Sequence, residues 1–331
     1  MGGDNAPQAV VDGAVIAARA ISDISILLIG DEQIIRAELA THGTLPNNIQ
    51  IRHASQVIDM CEAPGGAIRH KRDSSIVVGM YLVRKGEADA IVSAGNSGAM
   101  MAGATLILKA QPGIDRPAIV TLIPTITGGR AIMLDAGATT DCKPQNLLQF
   151  AELGSSYAAQ VLQIPLPRVG LLSIGEEPSK GDELTKDTHQ LLLASSTLNF
   201  VGNVEPKEML RGEVDVVVCD GFVGNLMLKD GEGFGELIMK SLMTELNRNL
   251  FRKVVALLLR TAFRQVKRKF DYAEYGGALL LGVNGVVVIG HGRSNATAIE
   301  NAIRVASDAA RYRCRASVRS TSVSSITLPL S

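Results

Sequence analysis

The chain alternates short aliphatic runs with longer stretches whose apolar positions recur at helical spacing. Several runs are apolar at consecutive positions, which is typical of strands covered on both faces in a parallel sheet. The predicted strands are Ile24–Ile29, Ala90–Ser93, Ile119–Ile123, Ala131–Leu134, Val169–Ile174 and Val214–Cys219. The predicted helices are Gln8–Ala20, Glu32–Ala40, Ser75–Lys85, Ser97–Lys109, Pro144–Leu162 and Glu183–Ser195. This alternation predicts βαβ units and a layered α/β fold with a mainly parallel sheet.

Short glycine-rich segments follow four of the predicted strands. They are 93–98 (SAGNSG), 134–139 (LDAGAT), 173–177 (SIGEE) and 219–225 (CDGFVGN). The carboxyl ends of parallel strands meet at one edge of a sheet, where open α/β folds bind ligands. Glycine lets backbone N–H groups approach an anion, and a following helix N-terminus favours negative charge. Together the four loops predict an anion or carbonyl site, although a tight turn also explains any one of them.

Two lysines lie at the start of the helix predicted over Glu183–Ser195. Lys180 precedes the helix and Lys186 falls within its first turns. Lysine side chains in this position can hold a phosphate group as point charges. The alternative is a solvated helix start, in which Asp182 and Glu183 are stabilised by the helix dipole.

The usual nucleotide and nucleophile motifs are missing. The chain has no GxxxxGK[ST], no GxGxxG after a strand and no GxSxG, which disfavours an ATPase or an ordinary dinucleotide enzyme. His189 and His291 belong to no recognisable triad, and Cys219 is better explained as a buried strand cysteine than as a nucleophile. A site with N–H donors, asparagine and lysine suits a substrate that is itself the nucleophile, such as inorganic phosphate.

A basic segment at 250–270 carries seven basic residues and no acid between Phe251 and Phe270. At helical spacing its apolar stripe consists of Phe251, Val255, Leu258, Ala262 and Val266. The opposite face carries Lys253, Arg260, Arg264 and Lys267. Basic amphipathic helices of this type bind anionic membrane surfaces or acidic partners. An ordinary helix that faces the core and has a solvated basic side is the alternative.

Composition narrows the class of protein. The 331 residues are 46% hydrophobic and 20% charged, which is ample for a large core. Basic and acidic residues number 33 each, Trp is absent, and 12 residues are Tyr or Phe, so a nucleic-acid partner is not expected. Four widely spaced cysteines without a CxxC pair indicate a reducing cytosol and no zinc site. Neither a signal peptide nor an apolar run of about 18 residues is visible.

We interpret residues 1–316 as a single α/β catalytic domain. Within it, 230–272 is a helical segment associated with the membrane or with a dimer, and 317–331, rich in Ser and Thr, is a flexible tail. Asn5 is the predicted N-cap of the first helix, with Pro7 in its first turn. A strand is expected to precede that helix, so the natural start is expected upstream of residue 1.

Seven stretches of the sequence, in order along nearly the whole chain, resemble a known bacterial family. They are MGGDNAPQAVVDG (1–13), SAGNSGA (93–99), GIDRPA (113–118), LDAGA (134–138), KGDELTK (180–186), CDGFVGN (219–225) and YGGALLLG (275–282). The family is the phosphate acyltransferases of phospholipid synthesis, which convert acyl-acyl-carrier-protein to acyl phosphate. The resemblance implies a three-layer α/β/α fold akin to the isopropylmalate dehydrogenase and phosphotransacetylase group. It also implies a homodimer, a helical pair used at the membrane, and no cofactor or metal.

Residues and resemblance together predict the site. Lys186 is expected to hold phosphate, and Asn225, Asn96 or loop N–H groups are expected to stabilise the oxyanion. The other expected substrate-binding residues are Ser97, Gly98, Gly137, Gly175, Lys180, Asp220, Gly221 and Gly224. The expected location is the cytoplasm, at the inner face of the cell membrane. There a membrane glycerol-3-phosphate acyltransferase would take up the reactive acyl phosphate.

Three alternatives remain open on sequence grounds. One is a phosphotransacetylase-like enzyme that uses short-chain acyl-CoA. A second is a β-decarboxylating NAD-dependent dehydrogenase, for which Asp135 and Asp220 are candidate metal ligands, although they form no clear cluster. A third is a non-catalytic scaffold that binds a membrane surface through the basic segment.

Overall fold

The structure, a computed structural model, describes residues 1–261, 263, 265 and 276–323, with side chains except at 250 and 312–323. The chain divides into two compact units. Unit 1 comprises Met1–Gln111, Ala159–Ile164 and Gly276–Ser331, and unit 2 comprises Pro112–Ala158 and Pro165–Tyr275. Two units can form one catalytic domain, so the interpretation of 1–316 as a single domain stays a prediction.

Unit 1 begins with alternating helices and strands. In chain order they are α1 (Gln8–Ala20), β1 (Ile26–Gly30), α2 (Glu32–Ala40), β2 (Ile49–His53), α3 (Pro64–His70), α4 (Ser75–Lys85), β3 (Ala90–Ser93) and α5 (Ser97–Gly103), which continues as a π-helical turn, Ala104–Leu108. β1 and β2 form a parallel pair. The Asp31 carboxylate caps α2 by accepting from the N–H groups of Gln33 and Ile34. Ser74 caps α4 in the same way through Val77.

The described residues of unit 2 form further strands and helices. They are β4 (Ala118–Pro124), β5 (Arg130–Leu134), α6 (Pro144–Gln160), β6 (Arg168–Leu172), α7 (Glu183–Ala194), β7 (Asn199–Val204), α8 (Pro206–Arg211), β8 (Val216–Val218), α9 (Gly221–Leu246) and α10 (Leu250–Leu258). The strand order is β4-β5-β8-β6-β7. β4 and β5 are antiparallel, whereas the other three pairings are parallel. The expected mainly parallel sheet is therefore confirmed.

The chain then returns to unit 1 through β9 (Ala278–Leu281), β10 (Val286–Ile289) and α11 (Ala296–Val323). β10 pairs in parallel with β3 and antiparallel with β9. Helix α11 extends into the tail predicted at 317–331, and residues 324–331 lie outside the described residues.

The core of unit 2 lies at its central strands. Ala131–Leu134 of β5 and Val216–Val218 of β8 are completely buried, as expected for aliphatic strands covered on both faces. Helix α6 packs on these strands at Gly154, where an added Cβ would lie 2.6 Å from Leu134 and 2.8 Å from Val216. This tight packing fixes the strands whose carboxyl ends carry the candidate site.

Candidate functional site

Asp135 organises the loop that leaves β5. Its carboxylate is completely buried, and Oδ1 accepts hydrogen bonds from the N–H groups of Ile119, Gly137 and Ala138 at 2.8, 3.1 and 2.9 Å. Oδ2 accepts from the N–H of Thr139 at 2.6 Å. Burial raises the pKa of Asp135, against the lowering effect of these backbone hydrogen bonds. The side chain therefore holds the loop in place. Because the N–H of Gly137 donates to Asp135, it is not available to the substrate that Gly137 was predicted to bind.

A short connection after β8 leads directly into α9, so most of the loop predicted at 219–225 is helix, and the start of α9 interlocks with the Asp135 loop. The N–H of Asp135 donates to the oxygen of Cys219 at 2.9 Å, and the N–H of Gly221 donates to the oxygen of Thr139 at 2.8 Å. A Cβ on Gly221 would lie 2.5 Å from the Asp135 carboxylate, and one on Gly224 would overlap the Asp135 backbone oxygen. Both glycines are required by the close approach of the first turn of α9 to the Asp135 loop.

Asn225 and Gly137, two of the predicted site residues, meet where α9 passes the Asp135 loop. Gly137 has a φ of +131°, and a Cβ added to it would lie 3.3 Å from Cβ and 3.4 Å from Cγ of Asn225. Asn225 is exposed, so its amide is accessible to a ligand. Asp220 instead caps α9, because its carboxylate accepts from the N–H groups of Phe222 and Val223 at 2.9 and 3.0 Å.

A third loop, between β6 and α7, carries Gly175 and Lys180, and Lys186 follows in the first turn of α7. Gly175 is buried, whereas both lysines are exposed. Asp182 caps α7 by accepting from the N–H and hydroxyl of Thr185, and these hydrogen bonds lower the pKa of Asp182. Since β5, β8 and β6 are adjacent parallel strands, three of the four predicted loops leave one sheet edge within unit 2.

The fourth predicted loop follows β3 in unit 1, and there Asn96 is buried. Its amide nitrogen lies 3.0, 3.2 and 3.1 Å from the backbone oxygens of Asp59, Met60 and Glu62. Its side-chain oxygen accepts from the N–H of Ala99 at 2.9 Å and caps α5. These bonds occupy the amide, so Asn96 holds the turn at 59–62 and we assign it no oxyanion role.

The other predicted residues of this loop are Ser97 and Gly98. Ser97 is exposed. Gly98 packs against α3, where an added Cβ would lie 2.5 Å from Pro64. Their predicted contact with substrate stays a prediction.

The MGGDN segment packs against the loop after β10 in unit 1. The N–H of Asp4 donates to the oxygen of Gly292 at 2.9 Å. The Asn5 amide donates to the oxygens of Arg293 and Ser294 at 3.2 and 3.3 Å. Asn5 was predicted to cap α1, and this was wrong, since residue 7 occupies the N-cap position without a side-chain cap. Sequence reasoning missed this contact because it joins residues almost 290 positions apart.

The cysteines of unit 2 have the environment of structural thiols. Burial raises the pKa of Cys142 to about 12 and that of Cys219 well above its ordinary value. Neither side chain is a thiolate at neutral pH, which supports the interpretation of Cys219 as a buried strand cysteine.

The basic segment is described in part. α10 covers the first two turns, in which Phe251 and Leu258 are 79% and 78% exposed and Val255 is half-buried. Lys253 and Arg260 are exposed. The predicted residues Ala262, Arg264, Val266 and Lys267 lie outside the described residues. Among the described helices, none combines the length and apolarity needed to cross a bilayer.

The chain is an α/β protein whose fold is similar to that of phosphotransacetylases of known structure. A phosphotransacetylase from Streptococcus pyogenes superposes with a TM-score of 0.61 at 19% identity, over 91% of each chain. A EutD phosphotransacetylase from Staphylococcus aureus gives 0.59 at 16% identity, over 92% of each chain. At these identities the likeness concerns the fold alone, and it confirms the predicted fold class.

Closer relatives define the family. The sequence model described as "Fatty acid synthesis protein" matches residues 1–316. A "Phosphate acyltransferase" from Geobacter sulfurreducens is 50% identical over 94% of this chain and 89% of its own. A relative of the same name from Moorella thermoacetica is 51% identical over 92% of this chain and 89% of its own. The chain belongs to the fatty acid synthesis protein family, among relatives that carry the name phosphate acyltransferase, and the resemblance seen in the sequence is confirmed.

Proposed function

We propose that the chain transfers a fatty acyl group from acyl-acyl-carrier-protein to inorganic phosphate. The product is an acyl phosphate for glycerophospholipid synthesis. The observation that carries the proposal is the arrangement in unit 2, where Asn225 lies beside Gly137. The loop with the exposed Lys180 leaves the same edge and leads into α7, whose first turn carries the exposed Lys186. Relatives about 50% identical that are named phosphate acyltransferase support the same reaction.

The proposed chemistry uses phosphate as the nucleophile. A phosphate oxygen attacks the thioester carbonyl carbon, the new C–O bond forms, and the C–S bond breaks as the thiolate leaves. A thiol has a pKa near 8.5, so the leaving group scarcely needs an acid. The proton released by the phosphate goes to the thiolate or to solvent. No activated side chain is required, which agrees with the raised pKa values of Cys142 and Cys219.

In this scheme the chain's own residues bind phosphate and polarise the thioester carbonyl. Lys186, with Lys180, supplies positive charge to phosphate, and the amide of Asn225 donates to the oxyanion that forms on the carbonyl. A single oxyanion donor contributes about 3 kcal/mol. Asp220, Gly221 and Gly224 shape the start of α9, which presents Asn225. Asp220 caps the helix, and the two glycines allow its close approach to Asp135.

A donor panel tests the proposal. The purified chain is given acyl-acyl-carrier-protein, short-chain acyl-CoA, or NAD with a hydroxy acid, each with and without phosphate. Phosphate-dependent loss of the acyl-carrier-protein thioester is the expected result. Preference for short-chain acyl-CoA would indicate the phosphotransacetylase-like alternative, and NAD reduction would indicate the dehydrogenase. If none of the donors is turned over, the non-catalytic scaffold is the alternative that remains.

Asn225→Ala is expected to lower kcat about 100-fold, because a donor aimed at the oxyanion acts mainly in the transition state. The melting temperature should stay within a few degrees, since the side chain is exposed. Asn225→Asp is the matched variant that keeps the shape and removes the donor, and it should be equally impaired. Loss of activity that parallels unfolding in both variants would make Asn225 a structural residue.

Helices α9 and α10 of unit 2 are proposed to bind a second copy of the chain and an anionic membrane surface. The buried residues of α9 are Gly221 and Gly224, and its large exposed apolar residues are Phe222, Val223, Leu226, Phe234, Leu237, Ile238 and Met243. An apolar face of this length favours a partner, and a homodimer would cover it. The acyl phosphate would then pass at the membrane to a glycerol-3-phosphate acyltransferase, which transfers its acyl group and releases phosphate.

Leu258→Glu is expected to abolish pelleting with anionic liposomes while turnover of soluble acyl-acyl-carrier-protein continues. The side chain is 78% exposed, so the change places a charge in the lipid-facing stripe without disturbing a core. Arg260 and its basic neighbours would add roughly 1 kcal/mol each near acidic lipid, and Leu258→Met is the matched control that should still pellet. Unfolding of Leu258→Glu would instead assign the stripe to the core or to the dimer interface.

Acyl-carrier proteins are acidic, so the basic face could also bind the substrate protein. Charge reversal at Arg260 and Arg264 distinguishes the two roles. Weaker pelleting with unchanged turnover would assign the face to lipid, and loss of both would indicate a shared surface.

A further inference from the structure

A buried polar network connects α7 to the loop that carries Lys180. Nδ1 of His189 on α7 lies 2.9 Å from Oδ1 of Asn203 on β7, and both residues are 5% exposed. The Asn203 amide nitrogen donates to the backbone oxygen of Glu177 at 2.9 Å. The same oxygen accepts from the N–H of Lys180 at 3.0 Å. The network therefore ends on the turn that presents Lys180.

The hydrogen-bond roles along this network follow from the donors available. Since the Asn203 amide nitrogen donates to Glu177, its Oδ1 faces His189 and accepts, so Nδ1 of His189 carries a hydrogen. The imidazole also packs edge-on against Phe200, with ring centroids 5.2 Å apart and an interplanar angle of 73°. Hydrogen bond and ring contact together hold His189 in one orientation.

The placement of the network points to binding rather than to general stability. His189 lies three residues after Lys186, hence on a neighbouring position of the α7 surface. The turn at Glu176–Lys180 is exposed throughout, and it is tied to the buried part of unit 2 through Asn203. A loop held in place in advance loses less conformational freedom when it binds a ligand.

We propose that His189 and Asn203 are positioning residues for phosphate. They hold the Glu177–Lys180 turn against α7, so that Lys180 and Lys186 face the same anion. This inference rests on the proposed function, which assigns phosphate to these two lysines. Neither His189 nor Asn203 touches the substrate.

His189→Phe tests the inference, because phenylalanine retains a ring beside Phe200 and removes the hydrogen bond to Asn203. The KM for inorganic phosphate is expected to rise about tenfold, whereas kcat at saturating phosphate and the KM for the acyl donor stay at wild-type values. Trypsin cleavage after Lys180 should become at least tenfold faster. His189→Asn, whose amide nitrogen can take the place of Nδ1 and donate to Asn203, should restore the phosphate KM and the cleavage rate in large part. Gln190→Ala, an exposed change on the same helix, is the matched control and should alter neither.

Asn203→Leu removes the hydrogen bonds of β7 to Glu177 and to His189. It should likewise raise the KM for phosphate and speed trypsin cleavage after Lys180. An unchanged phosphate KM or unchanged cleavage at Lys180 in folded His189→Phe would overturn the inference. So would global unfolding of both His189→Phe and Asn203→Leu, because the network would then be structural. If Lys186→Ala leaves the phosphate KM unchanged, the proposed phosphate site fails instead, and trypsin cleavage still reports whether the network holds the loop.

Discussion

Replacing Gly224 with alanine is expected to destabilise the protein by about 3 kcal/mol and to remove most of its activity. The added Cβ would overlap the backbone oxygen of Asp135 and lie 3.0 Å from Sγ of Cys219. The obstacle is backbone in a loop that is itself fixed by the buried Asp135 carboxylate, so no side-chain rotation relieves it. Overpacking costs typically about 1–3 kcal/mol and occasionally more, and a rigid backbone obstacle belongs at the upper end.

Gly231→Ala is the matched control for this prediction. Gly231 lies on the same helix α9, and an added Cβ there meets nothing within 4 Å. Alanine is favoured over glycine by about 1 kcal/mol in a helix interior, so this variant should be slightly stabilised and active. Urea unfolding and turnover of both variants check the pair. Wild-type stability and activity in Gly224→Ala would show that the loop after β5 and the start of α9 do not interlock as described.

Lys186→Ala is expected to lower phosphate-dependent turnover at subsaturating phosphate at least tenfold, equivalent to about 1.4 kcal/mol. The ammonium group supplies charge to a dianion, and its removal leaves the fold intact because the side chain is exposed. Lys186→Arg keeps the charge and should retain part of the rate, although the guanidinium differs in geometry.

The measurement for Lys186 is the initial rate as a function of phosphate, together with the melting temperature. Lys85→Ala, a change at another exposed lysine near a helix end, should leave both unchanged. A wild-type rate for Lys186→Ala at low phosphate would remove Lys186 from the site.

The elements with strong local patterns could be predicted from the sequence. α1, α2 and α4 begin and end where the spacing of apolar residues placed them, and β3 coincides with its predicted run. The missed strands include two with weak signals. β2 is half-exposed and pairs in a two-stranded sheet, and β7 contains Gly202 with a φ of +107°. Val286–Ile289 of β10 is completely apolar and buried, so this strand, although not predicted, does have a hydrophobic run typical of a buried strand.

The site could be predicted as far as it depends on strand order. Loops at the ends of β5, β6 and β8 lie at one edge because those strands are parallel neighbours. The roles of individual polar groups could not be predicted, because they depend on distant partners. Asn96 was expected to donate to an oxyanion, yet it bonds a turn more than 30 residues earlier. Asp135 was considered as a metal ligand, and its hydrogen bonds depend on a loop conformation that no local motif specifies.

The central claim is that phosphate itself attacks the thioester. Incubation of acyl-acyl-carrier-protein with phosphate labelled by ¹⁸O at all four oxygens, followed by mass spectrometry of the first product, tests it most directly. If phosphate is the nucleophile, the first product is an acyl phosphate that retains all four labelled oxygens, and it forms at a rate that rises with phosphate until saturation. Free fatty acid as the first product, or thioester loss at the same rate without phosphate, would contradict it.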